Sequence, residues 1–117
     1  MYSTLRYTLE SNGTTYENDS INASLLVELI TNLELQDYVV LEPSELVEGS
    51  IYMQAAALEE PGQMVAEIRL QEGVSGFRHY SYTTGDPTVI IQWILDYWGK
   101  QQLPQLASWK DITHELG

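Results

Sequence analysis

The chain has 117 residues, 44% of them hydrophobic, with three Trp and eight Tyr; that is the size of one globular domain and enough apolar matter to bury roughly two-thirds of the unfolded surface, so disorder is excluded as the default. Seventeen Asp and Glu against five Lys and Arg give a net charge of −12, at which binding to nucleic acid or an anionic membrane would work against long-range repulsion and a basic or uncharged partner is favoured. The absence of cysteine removes disulfide frameworks, thiolate zinc sites and cysteine nucleophiles together.

Residues 1 to 13, MYSTLRYTLESNG, lack the apolar block of a secretory signal, so the mature chain is expected to begin near Met1. From Ser3 to Leu9, Leu5, Tyr7 and Leu9 alternate with Arg6 and Thr8, the period of a half-buried strand. Asn12-Gly13 readily takes positive φ, so Thr14 to Glu17 is expected to return as a hairpin arm. Asn12, Asn18 and Asn22 stand in glycosylation triplets, but read better as turn and cap chemistry. From Ile21 the period lengthens: Ile21, Leu25, Leu29 and Leu33 recur every four residues, with Leu26 and Ile30 beside them, predicting a helix that ends within Asn32 to Gln36.

Tyr38 to Leu41 predicts a strand closed by Glu42-Pro43, and Ser50 to Ala57, Gln63 to Leu70 and Phe77 to Thr83 predict three more. Their short connections imply antiparallel neighbours, since a parallel pair needs a crossover of about a dozen residues or more. Asp86-Pro87 starts a second helix carrying Val89, Ile90, Trp93, Ile94, Tyr97 and Trp98, with Gly99 as its left-handed stop. The tail from Leu106 offers Trp109 and Ile112 for docking. Residues 1–117 therefore read as a single α+β domain, an antiparallel sheet of about four to six strands with two amphipathic helices packed on one face. Met64, Ala66, Ile68 and Leu70 then face the helices, while Val65, Glu67 and Arg69 point away.

The sequence carries little catalytic chemistry. Two histidines, His79 and His114, cannot write a helical zinc motif, so neither a metal nor a cofactor is expected. His79 reads as a histidine hydrogen-bonded among strand neighbours in preference to a general base. Gly73-Val74-Ser75-Gly76 lacks the strand-to-helix setting of a nucleophile elbow and reads as a hairpin loop. With so many carboxylates, proximity of any two says little about an acid/base couple.

Charge distribution is more informative. Residues 1–60 hold 11 acids and one base, a net of −10, whereas residues 61–117 hold six acids and four bases, a net of −2. Glu42, Glu45 and Glu48, near Asp37, are candidates to steer the domain onto a basic protein and accept its charge-assisted hydrogen bonds. Tyr52, Tyr80 and Tyr82, on neighbouring predicted strands beside Gln54, Glu67, Arg69 and Arg78, have the composition of a recognition patch.

Between residues 51 and 109 the chain carries Ile51-Tyr52-Met53-Gln54-Ala55-Ala56, then Ala66-Glu67-Ile68-Arg69, then Gly76-Phe77-Arg78-His79-Tyr80, a capped helix and Trp109. This order resembles the small acidic immunity proteins of bacterial polymorphic toxin systems, the immunity protein family 1 type. The resemblance implies a cytoplasmic protein with no catalysis of its own, which binds a cognate toxin domain and blocks its active site; the charge favours a basic one, and a monomer or weak homodimer is expected. It also implies that Tyr52, Gln54, Glu67, Arg69 and His79 form or brace the binding face. Tyr80 and Tyr82 project from the opposite side of their strand to His79. Two other readings are a small-molecule-binding domain or enzyme with a cleft around Glu67, Arg69 and His79, and a nucleic-acid mimic.

Overall fold

In a computed structural model, residues 5–116 are described; Ser3 and Thr4 of the predicted first strand lie outside them. Seven strands form one antiparallel sheet: β1 (Tyr7–Ser11), β2 (Thr14–Tyr16), β3 (Tyr38–Pro43), β4 (Ser50–Ala57), β5 (Met64–Glu72), β6 (Gly76–Thr84) and β7 (Lys110–Asp111). Their order is β2-β1-β3-β4-β5-β6-β7. Three helices accompany the sheet, α1 (Ala23–Thr31), α2 (Pro87–Lys100) and the four-residue α3 (Thr113–Leu116). The fold is α+β as expected. Its strand count exceeds four to six because β7 has only two residues, too short to show any period in the sequence.

The local chemistry explains the element ends. Asn12 (φ 52°) and Gly13 (φ 88°) make the β1–β2 turn in left-handed backbone. The three asparagines of the glycosylation triplets are structural. Asn12 Oδ1 accepts from Tyr38 N at 2.9 Å, Asn18 Oδ1 from Tyr7 N at 2.8 Å, and Asn22 caps α1 by accepting from Leu25 N. Asp86 caps α2 through Thr88 N, with Pro87 at its first turn. Gly99 does not stop that helix; Gln101, at φ 51°, takes the left-handed position instead. In α1 the buried residues are Leu26 and Ile30, so the sheet-facing stripe is centred one position beyond the predicted Leu25–Leu29–Leu33 row.

Both long helices lie on one face. Leu26, Ile30, Ile90, Ile94 and Tyr97 pack onto Leu9, Val39, Leu41, Met53, Ala55, Ala66 and Ile68, all buried. A bulge in β4 breaks simple alternation: Ser50 pairs with Leu70 and Tyr52 with Arg69, leaving Ile51 as the extra residue. Ser50 is thereby turned inward, where its Oγ donates to Val47 O at 2.6 Å and accepts from Tyr97 Oη at 2.7 Å. Burial pushes the Tyr97 hydroxyl up to about 12, with Ser50 opposing the rise. Tyr7 Oη donates to Tyr97 O at 2.7 Å, satisfying a carbonyl in the last turn of α2.

The predicted tyrosine patch divides across the sheet. Tyr82 stands on the helix side, its ring 4.9 Å from Trp93 and 5.7 Å from Trp109. Tyr80, two residues away on the same side, packs against the core. Neither belongs to the surface that carries Tyr52.

Candidate functional site

Among the described residues, the two helices longer than eight residues, α1 and α2, pack on the first face and leave the second to shorter segments. On it, register places Tyr52 opposite Arg69, Gln54 opposite Glu67, and Arg69 opposite His79. Tyr52, Gln54, Glu67, Arg69 and His79, separated by up to 27 positions in sequence, therefore occupy three adjacent strands as one group. Side chains two apart on a strand share a face, and strands stand about 4.8 Å apart, so the cluster follows directly from pairing.

The cluster is bonded internally. Gln54 Nε2 donates to Glu67 Oε1, and Arg69 Nε donates to His79 Nδ1 at 3.2 Å. The guanidinium of Arg69 sits 4.0 Å from the Phe77 ring centroid and 5.7 Å from that of Tyr52. Tyr52 meets the His79 ring edge-on at 6.1 Å. Phe77 shares the outward parity of His79, two residues back on β6; that parity marks it as part of the group, although its aromatic side chain alone does not.

His79 is the buried member, 2% exposed. Accepting at Nδ1 assigns its proton to Nε2, the neutral tautomer. That N–H lacks a hydrogen-bond partner among the described residues, and Glu67 Oε1 is 3.6 Å away, beyond hydrogen-bond length. Burial lowers the His79 pKa below 6.5; the Glu67 carboxylate opposes this and the Arg69 cation reinforces it. The expectation of a histidine bonded among strand neighbours thus holds for one ring nitrogen and not for the other. Its backbone is tied to the tail, with His79 N donating to Thr113 Oγ1 at 2.9 Å and Ile112 N to His79 O at 2.8 Å.

The three steering glutamates are not equivalent. Glu42, exposed on β3 one residue beyond the Leu41–Met53 pair, stands beside Tyr52 and contributes to that hydroxyl's raised pKa after burial and the opposed effects of Arg69 and Glu67. Glu45 is exposed in the β3–β4 loop. Glu48, in left-handed backbone at φ 48°, accepts from Leu103 N at 3.1 Å, tying that loop to the segment after α2. Its carboxylate thus has an intramolecular partner.

A cavity of about 520 Å³ lies elsewhere, among Leu33, Leu35, Ala57, Pro61, Met64 and Pro87 at the other end of the sheet. Glu67, Arg69 and His79 are not among its lining residues. Among the described residues, no three His, Asp or Glu side chains are grouped to hold a metal ion, and no helix is long and apolar enough to cross a membrane. Comparisons with protein families, with curated proteins and with solved structures find no match for this chain.

Proposed function

We propose that this chain is a non-enzymatic immunity or inhibitor protein, which neutralises a basic toxin or effector domain in the cytoplasm by covering it with the face of its sheet opposite α1 and α2. One observation carries the reading: Tyr52, Gln54, Glu67, Arg69 and His79 converge on that face, beside Glu42. Rigid rings and internally braced polar groups on a sheet lose little conformational entropy when a partner docks. The rival reading, an enzyme cleft around Glu67, Arg69 and His79, needs a pocket at those residues, and the 520 Å³ cavity near Leu33, Ala57 and Met64 does not supply it. The net charge of −12 favours a cationic partner and raises its association rate at low salt.

The test is capture of candidate basic toxin domains by wild type, Glu67→Lys and Glu42→Lys, with stopped-flow association over a range of salt. The expected partner is basic and binds wild type, and Glu67→Lys loses it. Glu42→Lys slows association severalfold at low salt, and the difference shrinks once the Debye length falls to about 8 Å near 0.15 M. Binding that ignores both substitutions and salt, or metabolite turnover that depends on His79, sinks the proposal.

A further inference from the structure

Four of the five basic side chains are already paired. Arg6 meets Asp19 at 3.3 Å, Arg78 meets Glu72 and Asp111, Lys100 meets Asp96 at 3.6 Å, and Lys110 meets Glu115 at 3.6 Å. Arg69 is the exception: in a chain with 17 carboxylates, none of those among the described residues lies within ion-pair distance of it. It is nevertheless held in place. Nε is bonded to His79 Nδ1, one ring lies 4.0 Å from the guanidinium and Tyr52 lies on the neighbouring strand. These contacts leave the terminal Nη1 and Nη2 without a hydrogen-bond partner among the described residues.

Resting on the reading of this face as an interface, we propose that Arg69 is a preorganised receptor for a carboxylate of the partner, an Asp or Glu side chain set within an otherwise basic surface. The two terminal nitrogens of a guanidinium match the two oxygens of a carboxylate, and a fork already oriented loses less freedom on binding than a mobile lysine. Net charge attracts the partner from any direction, whereas one fixed cation in an acidic field sets the register in which it docks. His79 is a positioning residue here. Its neutral Nδ1 accepts from Arg69 Nε, and a doubly protonated ring would lose that acceptor and repel the guanidinium.

The test follows the side-chain Nε–H signals of Arg69, Arg78 and Arg6 by NMR at pH 7.5 and constant low ionic strength. The probes are N-acetylglutamate α-amide and its uncharged match, N-acetylglutamine α-amide. Arg69 is expected to shift saturably with the glutamate probe, about tenfold more tightly than with the glutamine probe, while Arg78 and Arg6 move little. Arg69→Lys, followed through the backbone amides of Ile68, Leu70 and His79 because lysine has no Nε–H, keeps the charge and loses the tight phase. Equal responses at Arg69 and Arg78 within one spectrum, which need no variant to fold, overturn the assignment, as does full binding by Arg69→Lys. Capture of a basic partner with no response at Arg69 removes this assignment alone; a response at Arg69 with no basic partner bound to the face removes the reading beneath it.

Discussion

Trp109 links the tail to the candidate site, and two substitutions separate what its ring does from what its N–H does. The indole is 6% exposed and packs 5.0 Å from Trp93 and 5.7 Å from Tyr82. Immediately after it, β7 pairs with β6, and Ile112 and Thr113 hold the backbone of His79. Trp109→Ala is expected to cost about 3–5 kcal/mol, the usual loss for an emptied aromatic site. That is a large share of the roughly 5–15 kcal/mol available to a small domain. Trp109→Phe behaves differently. The smaller ring forfeits about 1 kcal/mol of burial, but it also removes Nε1, which is buried without a partner among the described residues at a cost of about 1–3 kcal/mol. Trp109→Phe should therefore lie between the stability of wild type and about 2 kcal/mol above it. Urea unfolding measures both values, and amide exchange reports the site. In Trp109→Ala the His79 and Ile112 amides should exchange about a hundredfold faster as the tail opens locally. If Trp109→Phe is as costly as Trp109→Ala, the account of the unpartnered N–H is wrong; if His79 exchange is unchanged, the tail does not brace the site.

Two further outcomes follow from buried polar groups. His79 has a folded pKa below its ordinary 6.5 because burial disfavours its cation, so the unfolded chain takes up a proton that the native state resists. Its contribution to stability is complete above about pH 6.5 and is lost as pH falls through the lowered folded value. Urea midpoints between pH 7.5 and 5 should show this acid slope in wild type and a shallower one in His79→Gln; parallel curves would refute it. Tyr7→Phe strips Tyr97 O of the 2.7 Å hydrogen bond it accepts, and thermal or urea unfolding should register a loss of about 1–3 kcal/mol. No measurable loss would mean that water or a backbone donor replaces the hydroxyl.

Elements with a repeating pattern were legible in the sequence, and those determined by a single contact were not. The alternation in β5 states which residues face the helices, because a strand has no freedom to rotate one side chain independently of the next. Asp86-Pro87 likewise declares the start of α2. The convergence of Tyr52, Gln54, Glu67, Arg69 and His79 was partly legible, since their parities agree, but which residues stand opposite one another depends on register. Tyr80 and Tyr82 had the composition of a patch and the wrong parity for it. The β4 bulge was not readable, because Ser50 turns inward to meet Tyr97, 47 residues away. Glu48 read as surface charge, and its bond to Leu103 N appears only once the loop and the segment beyond α2 are brought together.

These long-range contacts give the site its rigidity. Arg69 keeps its orientation while His79 stays neutral and in place, and the backbone of His79 is held from the sheet edge by Ile112 and Thr113. Those residues are docked in turn by Trp109 against Tyr82 and Trp93 on the opposite face. The aromatic cluster among the helices and the polar cluster on the open face are thus two ends of one packed connection through β6. A substitution at Trp109, on the far side of the sheet from any docked partner, should then weaken carboxylate binding at Arg69 while leaving the acidic field that draws a partner in unchanged. A rise in dissociation rate without a fall in association rate is the kinetic form that this separation takes.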